Sequence, residues 1–134
     1  MKKKEWEKKS ASRLNAVKTS FNNKLYDESV ADSGLVVEFS LKAVICKFHK
    51  NKVYPEQISN YRTHDCEKLI DLAKLREDLD KEKHDNIEFF VNWSLMSKWS
   101  INFRYEPPGK YNEKIAKDYI NALESESGGV YKGL

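Results

Sequence analysis

The sequence is poor in the residues that break regular secondary structure, with five glycines and three prolines among 134 residues. This scarcity argues against a turn-rich β-sandwich and favours helices. No apolar run approaches the ~20 residues that a membrane span requires, and no apolar segment follows Lys2 to Lys4 as it would in a secretory signal peptide. We therefore expect a single all-α domain over residues 1–134 with no membrane as its partner.

Cysteine is scarce as well, since only Cys46 and Cys66 occur. Without an export signal, we expect both to be reduced thiols and the protein to be cytoplasmic. Zinc coordination by these cysteines together with His49 and His64 is disfavoured, because Cys-x-x-His and His-x-Cys are not standard ligand spacings. The sequence also lacks a glycine-rich phosphate loop, a nucleophile elbow and a His-Glu-x-x-His motif. It predicts neither a metal site nor a cofactor.

Neither sign of charge dominates the chain, which has 24 basic and 21 acidic residues and a formal net charge of +3. The lysines are nevertheless crowded at the N-terminus. Such a segment can attract phosphate at low salt, but a solvated terminus has the same composition. We expect residues 1–5 to be a frayed basic N-terminus and residues 128–134, which begin with two glycines, to be a frayed C-terminus.

Hydrophobic residues recur at helical spacing along most of the chain. The pattern predicts about five helices, separated by a loop at residues 50–62, a charged linker at residues 80–86 and the helix breaker Pro107-Pro108-Gly109. Thr63 or Asp65 is expected to cap the third helix. Short connections between amphipathic helices predict an antiparallel up-down bundle.

The second predicted helix, from about Asp27 to His49, is apolar on nearly every side between residues 35 and 48. A helix of this kind is buried, either at the centre of one bundle or against a second copy of the chain. Gly34 lies where another helix could approach closely. Lys42 either points its ammonium group into a shared cleft or pairs with Glu38, one turn earlier.

Three segments resemble the HEPN domains (higher eukaryotes and prokaryotes nucleotide-binding). They are LYDESVADSGLVVEFSLKAVI at residues 25–45, YRTHDCEKLIDLA at residues 61–73, and SKWSINFRYEPPG at residues 97–109. They occur in the order found in that family, with Cys66 where leucine is usual. The resemblance implies an antiparallel helical bundle, frequent homodimerisation, and partners among nucleotides, RNA and nucleotidyltransferase-type proteins.

The catalytic branch of the HEPN family cleaves RNA with an Arg-x(4–6)-His motif. The chemistry is sensible, because histidine can move protons while arginine offsets charge that develops on phosphorus. In this sequence, one residue separates Arg62 from His64 and seven separate Arg76 from His84. The chain therefore resembles the non-catalytic branch, whose implied role is nucleotide binding. The alternatives are an RNA-cleaving toxin, related to toxin-antitoxin systems, with a degenerate site of Arg104 and His64, and a pure dimerisation module.

The candidate ligand-binding residues are Lys42, His64, Arg104, Tyr105 and Lys110. Arg104 and Tyr105 precede the Pro-Pro-Gly turn, where arginine could grip a phosphate and tyrosine could stack on a base. The structural alternatives are that Arg104 pairs with Glu106 or with a helix end and that the tyrosines close the core. His64 could help to receive a phosphate, or could pack beside a capped helix start.

Overall fold

A computed structural model describes all residues from 1 to 134 and contains no β-strand. The all-α prediction is confirmed, although the chain divides into seven α-helices instead of about five. Three 3₁₀ turns, Lys50–Lys52, Ser59–Tyr61 and Ile101–Tyr105, lie between them. The helices are α1 (Lys3–Asn22), α2 (Tyr26–Cys46), α3 (Cys66–Leu72), α4 (Arg76–Asp85), α5 (Ile87–Ser97), α6 (Glu113–Glu124) and α7 (Val130–Gly133).

The centre of the bundle is α2, which the chain itself covers. Val36, Leu41 and Ile45 have no exposed surface, and burying each such side chain contributes about 1.5–3 kcal/mol. Helix α1 packs along α2, and its Ser10 hydroxyl donates to the Val36 carbonyl at 2.7 Å. The broad apolar surface of α2 is therefore buried within one bundle, and a second copy is not needed to cover it.

The charged stretch at residues 80–86 is not a linker, contrary to the sequence prediction. Residues up to Asp85 belong to α4, which is joined to α3 through Lys74 with a φ of 60°. Leu79 anchors α4 in the core, and Lys81 pairs with Asp85 one turn later at 2.7 Å. Acids in the first turn and bases in the last turn of α4 complement the helix dipole. The mostly charged composition of this segment gives no hydrophobic period, so the sequence did not predict a helix that a single buried leucine anchors.

Both ends of the chain make contacts that the prediction of frayed termini did not foresee. Lys2 forms an isolated bridge with Val53, and the Tyr54 amide donates to the Met1 carbonyl at 3.1 Å. At the other end, Val130 is fully buried. These contacts place the basic N-terminal residues beside the loop that follows α2.

Asp65, one of the two residues expected to cap the third helix, and Asn112, at the start of α6, both act as side-chain caps. The Asp65 carboxylate accepts from the Glu67 amide at 2.9 Å, and the Asn112 side chain accepts from the Ile115 amide at 2.9 Å. Each cap satisfies an amide that has no partner within its own helix. None of the helices combines the length and the apolar content that crossing a membrane requires.

Candidate functional site

The segment with Arg104 and Tyr105 lies beside the start of α2. There the Asp27 carboxylate binds the backbone of the Pro-Pro-Gly turn that follows this segment. Asp27 accepts a hydrogen bond from the Gly109 amide at 2.6 Å and another from the Tyr111 amide at 3.0 Å. Gly109 has a φ of +83°, a conformation that favours glycine. The Pro-Pro-Gly turn is thus held against the first turn of α2, and it presents the preceding residues from a fixed position.

Arg104 and Tyr105 end the 3₁₀ turn Ile101–Tyr105, next to a groove of about 220 Å³. The Arg104 guanidinium carbon lies 5.4 Å from the centre of the Tyr105 ring, and Tyr105 is 76% exposed. We call this region the Arg104 groove. Its lining residues are Asp27, Glu28, Ala31, Phe103, Arg104, Glu106, Pro108 and Tyr111.

The Arg104 groove contains charges of both signs. Besides Arg104, its lining carries the carboxylates of Asp27, Glu28 and Glu106. The ammonium group of Lys110 lies 3.1 Å from a Glu106 carboxylate oxygen, so this predicted ligand contact already has an acidic partner. A bare polyanion entering the groove would meet carboxylates as well as the guanidinium group.

Asp32 connects the Arg104 groove to α1. Its carboxylate lies 3.5 Å from the Arg13 guanidinium group. Burial raises the pKa of Asp32, while the positive charges of Arg13 and Arg104 act in the opposite direction. The two arginines therefore favour the ionised carboxylate, as oppositely charged neighbours do.

Lys42 and His64 meet at a different place, on the carboxylate of Glu38. This side chain is 1% exposed, and its two oxygens lie 3.0 Å from the Lys42 ammonium group and 2.7 Å from the His64 Nδ1. The Lys42 ammonium group also lies 5.2 Å from the Trp6 ring centre and 5.1 Å from that of Tyr54. We call Glu38, Lys42 and His64 the Glu38 cluster. Glu38 and Lys42 are buried and His64 is half-exposed, and the Lys42 ammonium group already has an acidic partner.

The surroundings of the Glu38 cluster keep two other groups protonated. Burial, reinforced by the negative charge of Glu38, raises the pKa of the Cys66 thiol to about 12. The same two causes raise the pKa of the Tyr54 hydroxyl far above its usual range. Both groups are thus neutral at physiological pH, which suits a structural part of the core.

The four residues weighed as zinc ligands do not come together. Cys46 and Cys66 are buried and not joined to each other, and His49 packs edge-on against Tyr61 with ring centres 4.8 Å apart. No three metal-ligating side chains gather anywhere in the structure.

The five predicted ligand residues therefore fall into two groups that the fold keeps apart. Arg104, Tyr105 and Lys110 lie near residues 27–31 of α2, whereas Lys42 and His64 lie on Glu38. From Ala31 to Glu38 the helix rises about 10 Å. The i, i+4 spacing was a sequence signal for the pair of Glu38 and Lys42. No local signal could predict the hydrogen bond between His64 and Glu38, which are 26 residues apart.

Comparison with known proteins yields one match. The model of the family described as the HEPN domain matches residues 4–125, nearly the whole chain. No curated protein and no solved structure matches the sequence. The family match includes α1 to α6, the Glu38 cluster and the Arg104 groove.

Proposed function

The chain belongs to the HEPN domain family, and from this premise we propose that it is a non-catalytic binding domain that works as a homodimer. Its partner is a nucleotidyltransferase-type protein, a nucleotide or RNA, and the geometry favours the protein. The observation that carries the proposal is that the fold places Arg104 and His64 at different sites, the Arg104 groove and the Glu38 cluster.

Cleavage of an RNA backbone needs a group that moves protons beside a group that stabilises negative charge on the phosphate. In this fold, the His64 Nδ1 lies 2.7 Å from a Glu38 carboxylate oxygen, whereas Arg104 lies in the groove beside residues 27–31 of α2, so the two groups do not meet within one bundle. The other near-match in the sequence is Arg76 with His84, but the Arg76 guanidinium group is bound to Asp71 and Glu67, at 2.8 and 2.9 Å. These contacts support binding without cleavage, and they argue against the alternative of a degenerate RNA-cleaving toxin.

The charges of the Arg104 groove support a protein as the partner. Arg104 stands among carboxylates, and Lys110 is paired with Glu106. Complementary charges of both signs give specificity between proteins, whereas the charged groups of a nucleic acid are all negative phosphates. The exposed ring of Tyr105 adds a side-chain type that is enriched at protein interfaces.

The homodimer is supported by an apolar stripe on α5 that the bundle leaves uncovered. Ile87, Phe90 and Val91 occur at helical spacing and are 81%, 46% and 60% exposed. A self-complementary stripe of this kind suits a two-fold interface, in which the same patch of each copy takes part. A pure assembly module, the other alternative, would also need an exposed dimer face. The stripe on α5 would supply that face, because α2 is buried within the bundle.

One set of light-scattering masses tests the proposal. The protein alone is expected to have the mass of a dimer, and co-expression with a nucleotidyltransferase-type protein of the same organism is expected to yield a larger complex. Arg104→Ala should lose that complex, while Lys117→Ala, a change on the exposed side of α6, should keep it.

ATP and a short single-stranded RNA form the other arms of the same experiment. If ATP or the RNA binds to the wild-type protein and not to Arg104→Ala, that ligand, and not a protein, is the partner. RNA is expected to remain intact during the incubation. RNA cleavage that disappears in both Arg104→Ala and His64→Ala would overturn the non-catalytic assignment in favour of the toxin, and a monomeric mass would overturn the dimer.

A further inference from the structure

The start of α1 and the end of α2 meet at one end of the bundle, and this end gathers the lysines of both segments. The Cys46 thiol lies 3.6 Å from the Met1 carbonyl oxygen, and Lys2 is bridged to Val53. We call residues 1–9 and 47–58 the basic end. It shares no residue with the Arg104 groove or with the Glu38 cluster. We propose that the basic end binds the surface of an anionic lipid bilayer.

The basic end carries a positive charge that its own residues do not balance. It contains eight lysines and three glutamates, with no arginine and no aspartate. Its formal charge of +5 exceeds the +3 of the whole chain, so the rest of the protein is net negative. Among the eight lysines, only Lys3 lies within 4.0 Å of a carboxylate oxygen, that of Glu7 at 3.7 Å. The other seven form no ion pair within the protein.

Neighbouring elements add little negative charge to the basic end. A groove of about 440 Å³ lies beside Lys3 and Lys47, and Glu7 is the only acidic side chain in its lining. A cavity of about 380 Å³ lies beside Lys50, and its lining contains no acidic side chain. The positive charge of the basic end is therefore not offset by the surfaces around it.

Exposed apolar side chains lie among these lysines. Phe48 and Ile58 are each 46% exposed, and Met1 is 38% exposed. Phe48 stands between Lys47 and Lys50 in the chain, and Ile58 lines the same cavity as Lys50. Lysines next to phenylalanine and aliphatic side chains suit the headgroup region of a bilayer, where cations meet anionic headgroups and apolar groups reach the acyl boundary. The basic end has both components.

An anionic bilayer fits this composition better than a protein or an RNA does. Lysine is depleted at protein interfaces, where arginine is enriched, and every cationic side chain of the basic end is a lysine. Single-stranded RNA is recognised by stacking its bases on aromatic rings, but the Lys74 ammonium group lies 4.5 Å from the centre of the Phe48 ring. An anionic leaflet attracts clustered lysines without requiring a particular hydrogen-bond geometry.

Binding to a membrane surface requires neither a membrane span nor an export signal. The expectation that no membrane is a partner came from the absence of both in the sequence, and it did not consider the surface that the fold assembles from two segments. Hydrogen bonds hold these segments in place. The Tyr54 amide donates to the Met1 carbonyl at 3.1 Å, and the Lys52 ammonium group donates to the Lys47 carbonyl at 3.0 Å. Preorganised groups lose less entropy on binding.

Cosedimentation with lipid vesicles at low salt tests the proposal. Vesicles of phosphatidylcholine mixed with phosphatidylglycerol are compared with vesicles of phosphatidylcholine alone. The protein is expected to bind the acidic vesicles about 10-fold or more tightly, because each lysine near an anionic surface contributes about fivefold in affinity. Binding to the acidic vesicles should weaken as salt is added, since salt screens exposed charges.

Two double variants of equal charge locate the binding. Lys47→Gln with Lys50→Gln should weaken binding to the acidic vesicles about 10-fold or more. Lys98→Gln with Lys117→Gln removes the same charge from exposed positions on α5 and α6, outside the basic end. This control is expected to bind the acidic vesicles as the wild-type protein does.

A second pair of variants tests the apolar contribution. Phe48→Ser should weaken binding to the acidic vesicles about fivefold, because the exposed part of the ring would no longer leave water. Leu25→Ser is the matched control, since Leu25 is 48% exposed and precedes α2 at its other end. Arg104→Ala should also leave vesicle binding unchanged, so a failure of this proposal is distinguishable from a failure of the proposed function.

The proposal is overturned if the protein binds both kinds of vesicle equally or binds neither. It is also overturned by unchanged binding in the double variant of Lys47 and Lys50 or in Phe48→Ser, and by an equal loss in a matched control. A short RNA that binds through Lys47 and Lys50, when the acidic vesicles do not bind, would assign the basic end to nucleic acid instead. Thermal melting monitored by circular dichroism verifies that each variant folds.

Discussion

At the scale of single residues, we expect the balance of charges around the buried Glu38 to be sensitive to substitution. A buried carboxylate is tolerated when its partners compensate for lost water, and removing one partner leaves an uncompensated charge. Lys42→Met takes away the ammonium group at 3.0 Å and leaves only the half-exposed His64. We expect a loss of about 3 kcal/mol in the free energy of unfolding, measured by urea denaturation.

A surface pair of the same spacing provides the matched control for Lys42. Lys114 and Asp118 are also four residues apart, at 3.2 Å, but the lysine side chain is 82% exposed. Lys114→Met should cost less than about 1 kcal/mol, as exposed pairs do. The double variant Glu38→Met with Lys42→Met should regain part of the stability lost in Lys42→Met, because it buries no charge. Equal losses at positions 42 and 114 would contradict the role given to burial.

At the scale of helices, the contact between α2 and Trp99, two residues after the end of α5, depends on the absence of a side chain at Gly34. Trp99 lies on Gly34, and a Cβ atom at that position would come within 1.9 Å of the indole ring. The indole N–H also donates to the Val30 carbonyl at 3.1 Å. Gly34→Ala should gain about 1 kcal/mol of helix propensity but lose about 1–3 kcal/mol to overpacking. We expect a net loss in the free energy of unfolding, measured by urea denaturation.

The reason given for this loss is tested by a double-mutant cycle. Trp99→Phe removes part of the ring that would collide with the new methyl group. Gly34→Ala should therefore cost less in the Trp99→Phe background than in the wild-type protein, a coupling typical of residues in contact. If both backgrounds lose the same free energy, the collision with Trp99 is not the cause.

The helices show how far the sequence alone can specify this fold. Periodicity predicted α1, α2, α5 and α6, because each depends on a pattern within a few turns. A helix was expected to approach Gly34, whereas the group that lies there is the Trp99 side chain. The predicted third helix ran on to Leu79 and so merged α3 with the start of α4. The rest of α4 was predicted to be a linker, because its stability comes from one buried leucine and from charge pairs. The Glu38 cluster shows the same division: Lys42 was predictable from its spacing, whereas the position of His64 depends on how α3 is placed against α2.

At the scale of the whole molecule, several engaged carboxylates determine how stability responds to acid. Hydrogen bonds lower the pKa of three of them: Asp71 is held by Arg76, Asp85 by Lys81 and then His84, and Glu88 by the Ser125 and Ser127 hydroxyls. A carboxyl group whose pKa is lower in the folded protein stabilises it above the unfolded pKa, and that stabilisation is lost as the pH falls through the folded pKa. Asp32 acts in the opposite sense, because burial raises its pKa.

Three lowered pKa values against one raised value predict a net loss of stability in acid. The urea midpoint should fall between about pH 5 and pH 3, the region in which unfolded carboxylates take up protons. Asp71→Asn removes one of the three groups, so its midpoint should fall less steeply over the same interval. Asp32→Asn removes the opposing group and should make the fall steeper. If the wild-type midpoint stays constant or rises on acidification, the raised pKa of Asp32, and not the lowered pKa values of the three surface carboxyl groups, dominates how the stability of this bundle responds to pH.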